Sequence, residues 1–121
     1  PHNVLQGYFH DVSRPDWVVL GSLGGRSSIL VFRRGSTDDV AELATSPDNE
    51  WLQDIHGDGV QGYSRLLDSA SPERIREYHK TFGGPAPPEL SHDGINDYFV
   101  EKSSTVWYWH ADEWHKLQGI S

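Results

Sequence analysis

Trp17-Val18-Val19-Leu20-Gly21-Ser22-Leu23-Gly24-Gly25-Arg26-Ser27-Ser28-Ile29-Leu30-Val31-Phe32 sets two β-branched and aromatic runs on either side of a glycine-rich break. That pattern predicts a β-hairpin. Consecutive apolar residues, rather than alternating ones, make both faces of the pair apolar and place it centrally in a sheet. Upstream, residues 1–15 are mixed, and Arg14-Pro15 reads as an extended or turn dipeptide. The far end of the chain returns to the same chemistry. Tyr98–Lys102, Thr105–Trp109 and Trp114–Leu117 predict three strands of a meander, turning at Ser103-Ser104 and at His110–Glu113. Trp107 and Trp109 fall on one face of their strand. Trp114, on the next strand, is their cross-strand neighbour.

Between the two β regions the signals are helical. Ser36 or Thr37 can cap a short helix to about Ala44, with Asp38 and Asp39 in its first turn. Ser46-Pro47 is a second start, carrying Trp51, Leu52 and Ile55 at helical spacing to a stop at Gly57. Val60, Tyr63, Leu66 and Leu67 suggest a further turn or two. Ser71-Pro72-Glu73 is a third start, with Ile75, Tyr78 and Phe82 on one face and Gly83-Gly84 as the stop. Pro85-Ala86-Pro87-Pro88 is a stiff loop. The expectation is a single α+β domain over residues 1–121: an N-terminal β-hairpin, central short helices and a C-terminal antiparallel β-meander, with helices packed on one sheet face.

A chain of 121 residues suits one domain. Its 5 Trp, 5 Tyr and 4 Phe are more than disordered chains carry. The absence of cysteine removes disulfides, thiolate zinc sites and cysteine catalysis together. No apolar run approaches the length of a membrane span, and no basic-then-apolar start is visible in the chain as given. A cytoplasmic location is the plain expectation. Ten Lys+Arg against eighteen Asp+Glu give a net charge of −8. Such a chain repels phosphate backbones and anionic membranes, so neither nucleic acid nor membrane is an expected partner. A basic protein is.

Catalytic signals are weak. His10-Asp11, His56-Gly57-Asp58 and His92-Asp93-Gly94 pair imidazoles with carboxylates, but no ligand spacing of the HExxH kind accompanies them, and Asp-Gly after His is turn chemistry. His110 and His115 flank a hairpin turn and could meet across it. No GxSxG elbow, SxxK or phosphate loop is present. Nothing in the spacing of eighteen acids selects a glycosidase pair. Pro1 invites comparison with the N-terminal proline base of the tautomerase superfamily, yet Pro1-His2-Asn3-Val4 is a poor strand start and no βαβ pattern follows. A small hydrolase or isomerase using a His/Asp pair or Pro1, or a toxin domain, is the alternative reading. No metal or cofactor is implied.

The stronger signal is where the charge lies. Between Arg34 and Arg65 there is no Lys or Arg, while Asp38, Asp39, Glu42, Asp48, Glu50, Asp54 and Asp58 all fall there. Clustered charge of one sign focuses a field on one surface. It makes either a solvated face or a dock for a cationic protein. The closing segment, Gly94–Lys102, Val106–Trp109 and Glu113–Gly119, resembles the final β-meander of small bacterial immunity proteins, the antidotes encoded beside polymorphic toxins. The acidic, cysteine-free α+β profile is similar too. The resemblance implies no catalytic residues. It implies one-to-one binding that blocks a cognate toxin. The residues expected to meet such a partner are Asp38, Asp39, Glu42, Glu50, Trp51, Asp54 and Asp58. The oligomeric state is left open.

Overall fold

The computed structural model describes residues 3–54, 57, 59 and 61–120. Two four-stranded antiparallel sheets carry most of it. The first is made of β1 (Val4–Gly7), β2 (Asp16–Leu23), β3 (Arg26–Phe32) and β4 (Val40–Pro47), in that spatial order. The second is made of β7 (Arg65–Ala70), β8 (Gly94–Phe99), β9 (Ser103–His110) and β10 (Glu113–Gln118), again with neighbours in sequence as neighbours in space. A two-stranded ribbon, β5 (Leu52–Gln53) and β6 (Gly62–Tyr63), lies between them in the chain. The one α-helix among the described residues, α1 (Pro72–Phe82), links β7 to β8.

The hairpin forms as its sequence predicts, and β2 and β3 are the two central strands of the first sheet. The strands run further than expected, so that only Gly24-Gly25 form the turn. Both have positive φ, 61° and 78°. A two-residue turn of that hand fits the twist of the flanking strands and favours glycine. Val4–Gly7, unremarkable in sequence, is an edge strand paired to β2.

The middle of the chain departs from expectation. The segment after Ser36 is a turn and then β4, not a helix. Ser36 Oγ accepts from the Asp38 amide (3.0 Å), which closes a local turn instead of capping a helix. Ala41 and Leu43 then pack on the core while Val40 and Glu42 point outward, the period of a strand. Pro47 ends that edge strand, where its missing N–H costs nothing. Among the described residues the second expected helix is a single 3₁₀ turn, Asp48–Trp51, followed by Leu52 in β5, and Ile55 falls outside them. The Asp48 amide donates to Gly25 O (2.8 Å), and its carboxylate accepts from Ser22 Oγ (2.7 Å). Leu66 and Leu67 lie in β7, and Val60 falls outside the described residues.

The third helix start is real. Ser71 Oγ accepts from the Arg74 amide (3.2 Å), Pro72 occupies the first turn, and the Gly83 amide closes the end on His79 O (2.8 Å). Ile75 and Tyr78 pack with Ala70, Leu90, Val106 and Tyr108, on one face of the second sheet. Gly94 permits this approach, because a Cβ there would sit 2.9 Å from Trp107 O and 3.1 Å from Ile75 Cδ1. The other face of that sheet supplies Leu67, Ile95, Trp107 and Trp114 to a second core. Phe9, Val18, Ile29 and Val31 meet them there from the first-sheet side. The C-terminal meander is present, but its first strand runs Gly94–Phe99, the turn falls at residues 100–102, and Ser103-Ser104, expected as a turn, opens β9.

Candidate functional site

Alternation along β2 and β3 sends Val18, Ile29 and Val31 into the core, each no more than 1% exposed. Their neighbours must then point away from it. Two rows cross all four strands on that outer face: Gln6–Trp17–Phe32–Val40 and Val4–Val19–Leu30–Glu42. Trp17 is 42% exposed, Val40 43% and Val4 49%, and Leu23 beyond them 88%. The 3₁₀ turn Arg33–Gly35 borders the Trp17 ring, where a Cβ on Gly35 would lie 3.3 Å from Cδ1, and α1 packs on the other sheet. With strands about 4.8 Å apart and a rise of about 3.3 Å per residue, the face covers roughly 300 Å². That is about the size of the largest apolar patch on an ordinary monomer, which is often functional, and here Gln6 and Glu42 stand at its margins. The sequence signal was the double-sided apolarity of the hairpin. It correctly places β2 and β3 centrally, but the chain covers only one of the two faces.

The acidic residues follow the β4 edge of the same sheet. Asp38 and Asp39 are exposed in the turn that enters β4. Glu42 closes the second row, and its Oε1 accepts from Ser28 Oγ (2.9 Å) and Thr45 Oγ1 (2.8 Å). Those two bonds hold its carboxyl below the ordinary glutamate value. A bulge interrupts the edge here: Ala44 takes a positive φ of 54°, and two residues of β4 oppose one of β3. Glu50 is exposed on the turn at the far end of the strand. Asp54 is exposed beyond β5 and accepts from the Gly59 amide (2.7 Å). Asp58 lies outside the described residues. Asp38, Asp39, Glu42 and Glu50 are strung along one edge and the turns at its two ends, and Asp54 lies apart from them beyond β5. They do not share a helical face.

Trp51 has structural duties. Its Nε1 donates to Ser46 Oγ (2.7 Å), its ring lies 5.5 Å from Phe99, and the Arg65 guanidinium stacks 4.3 Å from its centroid. Arg65 is the larger finding. Nε and Nη2 grip Asp97 Oδ1 and Oδ2 (3.0 and 2.8 Å), Nη1 donates to Ser27 O and Oγ (3.1 and 2.9 Å), and Nη2 donates to Ala44 O (2.9 Å). Both members of the ion pair are 3% exposed. One side chain therefore ties β7 and β8 to β3 and β4. Burial pushes the Asp97 carboxyl up, and the Arg65 bonds offset only part of that.

His10 pairs with Asp16, not with its sequence neighbour Asp11 (Nδ1 to Oδ2, 2.9 Å). The imidazole sits 4.7 Å from Trp109 and 5.2 Å from Trp114. Asp16 also accepts from the amides of Phe9 (3.1 Å) and Arg34 (2.9 Å). Burial raises its carboxyl, but the His10 bond and those two amides outweigh burial and leave it below the usual value. His92 contacts Trp109 O (2.7 Å), and His110 and His115 stand 6.2 Å apart. Among the described residues no three His, Asp or Glu side chains form a group fit for a metal ion. Pro1, His56 and Asp58 lie outside those residues. No described helix is long and apolar enough to cross a membrane.

Comparison with known proteins finds no matching family model, no matching curated protein and no matching solved structure.

Proposed function

We propose that the chain is a non-enzymatic binding protein that seats a basic protein partner on the outer face of its first sheet. In line with the likeness of its closing meander, that partner is a cognate toxin, which the chain inhibits. The observation that carries this reading is the uncovered pair of rows across β1–β4, bordered by carboxylates on the β4 edge. Central strands that are apolar on both faces call for a cover on each. A face of roughly 300 Å² is less than half of the ~800 Å² per partner in a standard interface. The partner must therefore reach past it onto the edge, where Asp38, Asp39, Glu42 and Glu50 meet its cations. In this division of labour the exposed aromatic anchor, Trp17, is covered by the partner and sets the dissociation rate, and the edge charges set the association rate.

The test is calorimetric and stopped-flow binding to the basic protein encoded beside this one. Trp17→Ala is expected to weaken binding by about 2 kcal/mol or more, through faster dissociation. Neutralising Asp38, Asp39, Glu42 and Glu50 to amides is expected to slow association and flatten its salt dependence. Full affinity in both variants overturns the assignment of the surface. Full affinity in Asp54→Asn with Asp58→Asn removes those two positions from it.

A further inference from the structure

At the pole where β3 ends, three arginines converge in a molecule that is otherwise strongly acidic. Arg14, Arg33 and Arg34, with Ser36 and Asp39, line an open hollow of about 640 Å³. Eighteen acids are available in the chain, yet no guanidinium of the three has an ion pair or a side-chain hydrogen bond among the described residues. The nearby Asp11 is occupied: its Oδ1 takes the Ser13 hydroxyl (2.6 Å) and amide (2.9 Å). Asp39 borders the hollow without closing on any of the three.

The arginines are presented by a held turn. The Arg33 amide donates to Asp39 O (3.0 Å), and the Ser36 amide returns to Arg33 O (3.0 Å). Arg34 adopts a left-handed φ of 57°, and its amide is fixed by the buried carboxylate of Asp16 (2.9 Å). Arg33 is half-buried, its guanidinium 5.4 Å from the centre of the Trp109 ring. A side chain stacked in this way loses less freedom on binding. Asp39 lines the hollow and Asp11 acts on Arg34 through its charge, but neither carboxylate closes on a guanidinium among the described residues, so the donor forks of the three arginines stay open. Guanidinium forks match the oxygens of a phosphate, and a terminal phosphate carries close to two negative charges at neutral pH.

We propose that the Arg14–Arg33–Arg34 hollow is a binding site for the terminal phosphate of a phosphomonoester. The hollow adjoins the end of the apolar face, since Gly35 of the same turn borders Trp17 and Asp39 belongs to both, but phosphate binding is read with no partner present. The hollow is open to solvent, so an organic group on the phosphate can project out of it.

The test is an amide NMR titration at pH 7.5 and constant ionic strength. The probes are inorganic phosphate, glycerol 2-phosphate, a phosphoserine tetrapeptide, dimethyl phosphate and acetate. Saturating shifts at Arg33, Arg34 and Ser36 are expected for the first three, with weak, unsaturated shifts for the diester and acetate. Whichever of glycerol 2-phosphate and the phosphopeptide binds tighter names the natural source. Arg33→Ala and Arg34→Ala are each expected to weaken binding about tenfold or more. Arg76→Ala, on the exposed side of α1, is expected to leave it unchanged. Arg33→Lys keeps the charge and is expected to bind less well than the parent, which separates a fork from a point charge. Unsaturated shifts with every probe, or equal response to acetate and phosphate, overturn the proposal.

Discussion

Arg65 spends its donors on both sheets at once. Substitution by Met removes the charge and leaves Asp97, Ser27 O and Ala44 O without their partner in a dry place. The expected loss is about 3–5 kcal/mol, measured by urea unfolding. Asp97→Leu added to Arg65→Met is expected to cost less than the two single losses summed, because the second change removes the orphaned carboxylate. Asp16 makes a pH-dependent contribution. Its folded value lies below the ordinary one, so its stabilisation is complete above the unfolded carboxylate range near pH 4 and is withdrawn as pH falls through the lower folded value. Asp16→Asn is expected to cost about 1–3 kcal/mol at pH 7 and to flatten the decline of stability below pH 4, read by denaturant melts across pH. Neither role is legible in sequence. An acid whose partner is six residues away, and an arginine whose carboxylate is thirty-two away, carry no local pattern.

Among the elements, α1 was fully legible, because Ser71-Pro72 and Gly83 act on their own backbone and the buried stripe of Ile75 and Tyr78 needs only helical spacing. The β2–β3 and β9–β10 hairpins were legible for the same reason, whereas β1, the bounds of β8 and the β8–β9 turn were not. The strand β4 was not. Ser36, Asp38 and Asp39 favour helix caps and tight turns through the same hydrogen bond, and only the pairing to β3 decides between them. Ser46-Pro47 is ambiguous in the same way. The turn between β9 and β10 shows the cost of a local misfit. Ala111 and Asp112 both hold positive φ, 52° and 63°, in a two-residue hairpin that favours Asn-Gly. Ala111→Asn with Asp112→Gly is expected to raise stability by about 1 kcal/mol, seen as a Tm increase of roughly 3–6 °C.

At the scale of the molecule, the lopsided charge survives as an edge, not as a helical face. The acids and the apolar rows belong to one sheet, and the arginine hollow sits at its end. Composition disclosed the acids, and the hairpin disclosed its apolar residues. What neither could disclose was which face the second sheet would take, since that is settled by Phe9, Leu67 and Ile95 from distant parts of the chain. The order of the strands has a further consequence. Each sheet is written in one unbroken run, so every strand of the first sheet is synthesised before β7 and β8 exist. As the nascent chain leaves the ribosome, Val18, Ile29 and Val31 stay wet for the roughly 3–10 s needed to make the next fifty residues at about 5–20 per second. During that interval the early half is apolar and unburied, and a holding chaperone has every reason to meet it first.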